Sequence, residues 1–134
     1  MIELRNSAAQ IIPAGGAVAL DTIIRKCGCG ESYYPGLNFV RLTTSGLYKV
    51  EFSGNITGAT AGTPVQLAIA LEGVGLPETV MVYTPATANA FGNVSTGTTV
   101  ANCNVDVNKI SVINTGTEPV TLSANFNLRI FRQG

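Results

Sequence analysis

The sequence contains no histidine, and only three of its 134 residues are cysteine. Without histidine, neither a Ser-His-Asp nor a Cys-His catalytic arrangement can form within the chain. Its acidic residues show no paired spacing typical of acid–base catalysis, although carboxylates distant in sequence could still meet in the fold. Its glycine-rich segments do not follow a strand and open a helix, as phosphate-binding loops do. The sequence therefore predicts a protein that is not an enzyme and binds no cofactor.

Charge is also scarce, and its two signs cancel. Charged residues make up 12% of the chain, about half the roughly 25% that is usual. Eight basic residues balance eight acidic ones, so no net positive field attracts phosphates and nucleic acid is not an expected partner. So few charges leave much of the surface to uncharged groups, which either buried subunit contacts or the abundant threonine and asparagine would explain.

Long apolar runs are missing as well. No stretch reaches the roughly 18 consecutive apolar residues needed to cross a bilayer, so we expect no membrane insertion. Residues 1–10 (MIELRNSAAQ) lack the basic segment and long apolar run of a secretory signal peptide. We therefore expect the acceptor patterns Asn55-Ile56-Thr57 and Asn93-Val94-Ser95 to carry no glycan.

The chain does contain repeated alternation of apolar and polar residues. Residues 47–56 (LYKVEFSGNI) and 65–72 (VQLAIALE) alternate with a period of two, which is typical of half-buried strands. The longest example, residues 120–131 (VTLSANFNLRIF), predicts one long closing strand. Its apolar side consists of Val120, Leu122, Ala124, Phe126, Leu128 and Ile130. Weaker strand candidates cover residues 17–24, 37–42, 79–84, 98–107 and 109–114.

Turns that contain glycine or proline separate these segments, and no helical period occurs. About eight short strands at regular spacing predict an all-β protein, an antiparallel β-sandwich of the jelly-roll type. The length fits a single domain, which we assign to residues 13–134. Residues 1–12 are then either an N-terminal arm that docks to a partner or a first edge strand.

The order of motifs resembles a known superfamily. A glycine-rich entry at residues 13–18 (PAGGAV) precedes an apolar strand, a Thr-Ser-Gly-Leu-Tyr-x-Val-x-Phe segment at 44–52, a polar middle and the closing strand. This order resembles the trimeric TNF-like and complement-type globular-head jelly rolls. Bacterial and phage members are the most similar, namely the heads of collagen-like spore-surface proteins and small phage decoration or fibre proteins. The Gly-x-y repeat of the fibrous members is absent, so the chain would be a head without a stalk.

The resemblance implies a homotrimer in which one sheet faces the threefold axis. In that family a glycine followed by an aromatic residue, as in Gly46-Leu47-Tyr48, opens the strand at the subunit contact. The candidate interface residues are Tyr48, Phe126 and Phe131. Phe131 lies on the otherwise polar side of the closing strand, where either a subunit contact or the rim of its own core would use a ring.

The segment Arg25-Lys26-Cys27-Gly28-Cys29 concentrates two of the thiols beside two cations. In a strand, Cys27 and Cys29 would point to one side roughly 6–7 Å apart, which does not suit a disulfide between them. A zinc site lacks ligands, and we expect no metal. A bridge from Cys103, reduced thiols and a redox role all stay open. A calcium site would need loops to bring together Glu72, Glu78 and Asp106.

These observations lead to two hypotheses. The first is a non-enzymatic, trimeric component of a phage virion, either a capsid decoration or a head-fibre knob, which acts by self-assembly and binds the major capsid protein at the virion surface. The second is a carbohydrate- or receptor-binding adhesion head on a phage tail or on a bacterial cell or spore surface. Its candidate residues for stacking on a glycan are Tyr33, Tyr34, Tyr83 and Phe91.

Overall fold

The computed structural model describes residues 1–28, 31–32, 38–102 and 108–133. Within these ranges the regular structure consists of thirteen strands and one 3-10 turn at Pro77–Thr79, with no α-helix. The strands are β1 (Ile2–Arg5), β2 (Gln10–Ile12), β3 (Thr22–Lys26), β4 (Glu31–Ser32), β5 (Val40–Leu42), β6 (Gly46–Thr57), β7 (Val65–Leu71), β8 (Val74–Gly75), β9 (Met81–Tyr83), β10 (Gly92–Asn102), β11 (Lys109–Ile113), β12 (Val120–Leu122) and β13 (Asn127–Arg132). The expected all-β class is confirmed.

The strands form two antiparallel sheets that pack face to face. The seven-stranded sheet has the order β2-β12-β6-β13-β1-β3, and β10 pairs with the other side of β6. The second sheet has six strands in the order β4-β5-β11-β7-β8, with β9 also paired to β7. Apolar side chains from the facing sides of both sheets fill one continuous core, as expected for a sandwich.

The longest strand, β6, carries the alternation predicted from the sequence. Tyr48, Val50, Phe52 and Ile56 are buried, while Lys49, Glu51, Ser53 and Asn55 point away from the core. The 65–71 segment is likewise a strand, as predicted. Its alanines, Ala68 and Ala70, are buried too, so neighbouring groups cover both faces of β7.

The predicted closing strand is divided in two, which corrects the expectation of one continuous strand. β12 and β13 lie end to end along the same side of β6, and between them Asn125 adopts a positive φ of 66°. Asparagine tolerates this left-handed conformation better than most residues, and its N–H donates to the carbonyl oxygen of Asn6 at 3.0 Å. The apolar residues before and after the turn still face the core.

Several weaker predictions have shifted boundaries. The 17–24 candidate is ordered as a strand only from Thr22, while Ala17 makes a single bridge to Ile113. The 79–84 candidate begins with the 3-10 turn, and the 98–107 candidate starts earlier, at Gly92. Beyond Asn102 that candidate lies outside the described residues. The 37–42 and 109–114 candidates contain β5 and β11.

Residues 1–12, predicted as either a docking arm or a first edge strand, contain strands β1 and β2 of the seven-stranded sheet. β1 is an interior strand between β13 and β3, while β2 lies at the edge beside β12. Ile2, Leu4 and Ile12 are buried in the core, so detaching this segment would expose apolar surface. Of the residues expected in the arm, only Ile11 presents a large exposed apolar side chain.

Candidate functional site

The side of the seven-stranded sheet that faces away from the core, here called the polar face, carries a row of alternating charges. The register places Arg25 on β3 opposite Glu3 on β1, Glu3 opposite Arg129 on β13, and Arg129 opposite Glu51 on β6. The row ends at Gly97 on β10, which lies opposite Glu51. Adjacent strands in a sheet are about 4.8 Å apart, so each charge has at least one neighbour of opposite sign.

The contacts within this row neutralise its most buried charge. Glu3 is only 7% exposed, and a buried carboxylate is costly unless it is paired. Arg25 Nη1 lies 3.5 Å from Glu3 Oε1, and Asn127 Nδ2 donates to Glu3 Oε2 at 3.1 Å. Both carboxylate oxygens of Glu3 are therefore satisfied within one subunit.

Arg129 connects the row to the aromatic ring of Phe131 on this face. Its Nη2 donates to Glu51 Oε2 at 3.2 Å, and its guanidinium carbon lies 5.7 Å from the centre of the Phe131 ring. Phe131 is half-buried and lies opposite Lys49 on β6. The structure thus places Phe131 on the polar face, where the sequence pattern put it, and its role in an interface stays a prediction.

A groove of about 610 Å³ crosses the polar face. It runs along β6, and its lining includes Gly97, which has no side chain to fill the space beside Glu51. A Cβ atom added at Gly97 would lie 3.4 Å from the Val50 carbonyl oxygen and 3.5 Å from Glu51 Cγ, which are ordinary contact distances. The residues that line the groove are Glu3, Lys49, Glu51, Phe52, Ser53, Ser95, Thr96, Gly97, Asn127 and Arg129.

Two of the predicted interface residues are not on this face, which corrects the sequence prediction. Tyr48 is completely buried within one subunit, and its hydroxyl donates to the Thr44 carbonyl oxygen at 2.7 Å. Phe126 is also in the core, with its ring centre 5.5 Å from that of Phe52. Side chains that already fill the core of one subunit have no surface to offer another. The apolar residue of β6 that points outward is Leu47, with 47% of its surface exposed.

The residues predicted to bind glycans do not form an aromatic platform in the described part of the chain. Tyr33 and Tyr34 lie outside the described residues. Tyr83 is half-buried, and its hydroxyl donates to the Ala90 carbonyl oxygen at 2.9 Å. Of the two predicted residues that the structure describes, Phe91 has the more open ring, with 49% of its surface exposed.

The structure describes some of the thiols and carboxylates that were considered as metal ligands or reactive groups. Cys27 is an exposed free thiol, whereas Cys29, Cys103 and Asp106 lie outside the described residues. Glu72 accepts hydrogen bonds from the backbone N–H groups of Asn108 and Lys109 at 2.7 and 3.3 Å. Across the described ranges, no three acidic or cysteine side chains come together as metal ligands. No helix in these ranges is long and apolar enough to cross a membrane.

Comparison with solved structures defines the fold. Over 98% of its length the chain superposes on 97% of murine APRIL with a TM-score of 0.71 and 14% identity. It also superposes on the globular domain of a zebrafish complement 1qA protein, with 98% of both chains covered, a TM-score of 0.68 and 11% identity. The vertex protein P5 of PRD1 gives a TM-score of 0.50 and 18% identity, over 92% of this chain and 96% of P5.

No protein-family model matches the sequence, and no curated protein is detectably similar to it. The class that these comparisons establish is an all-β, TNF-like jelly roll. The similarity to PRD1 P5 shows that this fold also occurs in a phage vertex protein.

Proposed function

We propose that this chain is a non-enzymatic structural subunit of a phage virion, in which three copies associate through their polar faces. The observation that carries the proposal is the internal pairing of opposite charges on that face. Charged residues are usually depleted at the centre of an interface because removing them from water is costly. Here Glu3, Arg25, Glu51 and Arg129 compensate one another before any contact forms, which lowers that cost.

The shape and composition of the polar face support the same role. The groove beside Gly97 provides a concave surface, and Phe131 and the exposed Leu47 add apolar area. Apolar surface removed from water contributes roughly 25 cal/mol per Å². The resemblance found in the sequence implies a homotrimer with one sheet on the axis, and the outward side of the seven-stranded sheet combines paired charges, a groove and an aromatic ring.

The position in a virion is supported by the fold shared with the PRD1 vertex protein. In this proposal the trimer is a capsid decoration or head-fibre knob, and its mechanism is binding. Catalysis is not part of the proposal: Glu3 and Glu51 line the same groove, yet each is held by an arginine. Incubation with an oligosaccharide panel is expected to give no cleaved product.

Light scattering on the wild type and three variants tests the assembly. The wild type is expected at about 42 kDa, three times its mass of 13.9 kDa. Gly97→Ala should keep that mass, because its methyl group meets neighbours at ordinary contact distances. Gly97→Leu should shift the protein to monomer, because its side chain extends into the groove. A monomeric wild type at micromolar concentration, or a trimeric Gly97→Leu protein, would contradict the proposal; an exposed loop change, Ala88→Leu, is the matched control.

The adhesion hypothesis is the second candidate, and the exposed ring of Phe91 favours it. Capture by capsids isolated from the source virus, together with silence on a glycan array, would support the structural role. Binding to the array that is lost in Phe91→Ala would support adhesion instead.

A further inference from the structure

The two carboxylates of the charge row on the polar face differ in how many of their oxygens have a hydrogen-bond donor within the subunit. At the β1 end, both oxygens of Glu3 have donors. At the β6 end, Glu51 accepts a hydrogen bond only at Oε2, from Arg129. Among the described residues, no donor reaches Glu51 Oε1, and no carboxylate lies within 4.0 Å of the Lys49 ammonium group. The groove therefore holds one cation and one carboxylate oxygen that their own subunit leaves unsatisfied.

Lys49 and Glu51 lie on the same side of β6 but are not joined. Residues two apart on a strand are separated by roughly 6.5–7 Å, and Glu51 is drawn across the sheet toward Arg129. Lys49 lies beside Phe131 and Thr99, its neighbours in the register. The half-buried stem of Lys49 holds its charge near the groove without a partner inside the subunit.

We infer that Lys49 of one subunit pairs with Glu51 of the next, in the space beside Gly97. The inference rests on the proposed trimer and identifies the contact that specifies it. A second copy is the occupant because each copy carries both halves of the pair, so an identical chain supplies the missing charge at every interface. The missing side chain at Gly97 leaves room next to Glu51 for the end of a lysine. Opposite charges removed from water at an interface fix its register and exclude other partners.

Charge reversals test the pair. Lys49→Glu and Glu51→Lys are each expected to raise the dissociation constant of the trimer by about tenfold or more, since like charges then meet at every interface. The combined variant, Lys49→Glu with Glu51→Lys, is expected to regain part of the lost assembly. Recovery is partial because the lysine introduced by Glu51→Lys then lies beside Arg129, which has lost its carboxylate partner. Sedimentation velocity over a concentration series measures all four proteins. Lys26→Glu, a reversal on an exposed cation outside the groove, should assemble as the wild type does.

Mixing the two single variants separates pairing between subunits from pairing within one. If the pair joins subunits, an equimolar mixture regains trimers that contain both variants, because most of their contacts again join opposite charges. If Lys49 and Glu51 pair within one chain, the mixture stays as dissociated as each variant alone. Differently tagged variants allow mixed trimers to be isolated and weighed by native mass spectrometry.

The outcomes distinguish this inference from the proposed function. A monomeric wild type overturns both. Two results would overturn the Lys49–Glu51 pair but not the proposed trimer. In both the wild type is trimeric, and either the single variants also remain trimeric or the combined variant stays dissociated. Circular dichroism of each variant shows whether loss of assembly follows from unfolding; a single variant that unfolds is replaced by Lys49→Met or Glu51→Gln, for which a smaller loss of assembly is expected and no loss would overturn the pair.

Discussion

The side-chain amide of Asn114 bonds to three backbone groups in two segments of the chain, and its removal should be strongly destabilising. Asn114 is 1% exposed. Its Nδ2 donates to the carbonyl oxygens of Ile12 and Glu118 at 3.0 and 2.8 Å, and its Oδ1 accepts from the N–H of Gly116 at 2.9 Å. These contacts tie β2 to the turn between β11 and β12.

Asn114→Ala removes all three hydrogen bonds at once. A typical bond in a protein contributes about 1 kcal/mol net, so the expected loss is about 3 kcal/mol, and more where a backbone group stays buried without a partner. For a domain of this length, the entropy of unfolding near the midpoint is about 0.28 kcal/mol per kelvin. The melting temperature should therefore fall by about 10 °C.

Asn93→Ala provides the matched control. Asn93 is exposed, and its amide makes one bond, to Asn55 Oδ1 at 3.0 Å, so its loss should cost under about 0.5 kcal/mol. Thermal unfolding followed by circular dichroism compares the two variants with the wild type. One fixed protein concentration is needed because assembly adds to apparent stability. Equal melting temperatures for Asn114→Ala and Asn93→Ala would refute the reasoning.

Two further predictions concern a carboxylate and a close contact. Hydrogen bonds from the N–H group of Asn108 and, to a smaller extent, that of Lys109 hold the pKa of Glu72 below its usual 4.5. The ionised carboxylate therefore stabilises the folded state above pH 4.5, and this contribution is lost as the pH falls through the lowered pKa. Glu72→Gln should thus be less stable than the wild type at pH 7, with a gap in urea midpoint that closes in acid; a gap independent of pH would exclude this cause. A Cβ on Gly92 would lie 2.2 Å from Tyr83 Cε1, so Gly92→Ala should cost about 1–3 kcal/mol. That cost should largely vanish in a Tyr83→Ala background, and a double-mutant cycle that shows no coupling would contradict it.

The alternation in β6 could be predicted because it is a local property. Period two places Tyr48 with Val50 and Phe52, and the structure buries all three. The same period argues against Tyr48 as an interface residue, since it shares the core side, and favours Leu47 in its place. The family resemblance proposed Tyr48 for the subunit contact, but its side chain is buried in the core of one subunit.

The break between β12 and β13 left no trace in the apolar pattern. Between the pairs Leu122–Ile56 and Asn127–Ser53, the closing segment has two more residues than β6 does. An even insertion preserves which side each residue faces, so Phe126 and the residues after it keep their phase. Only the left-handed Asn125 marks the turn, and many asparagines adopt ordinary conformations.

The first half of β10 was missed for a different reason. Residues 92–97 consist mostly of glycine, serine, threonine and asparagine, which are common in turns. β10 pairs only with β6 among the described residues, and Val94 and Thr96 are half-buried. A strand at an open margin of the sandwich does not need the apolar side chains by which strands are recognised in a sequence.

The polar face depends on register between distant segments. Glu3 meets Arg129 only because β1 pairs with β13, and Arg129 meets Glu51 only because β13 pairs with β6. The alternation placed Glu51 and Arg129 on the outward sides of their strands, whereas Glu3 lay in residues 1–12, for which no facing side was predicted. Which charges would be neighbours, and where Gly97 would leave a groove, follows from strand order, which the alternation does not encode.

The most direct test of the central claim is an experimental structure of the assembled protein, by crystallography or electron cryomicroscopy. The account predicts three copies around a threefold axis, with Phe131 and the groove beside Gly97 covered and Lys49 of each copy next to Glu51 of its neighbour. A monomer, or an assembly that leaves the groove and Phe131 open to solvent, would contradict it.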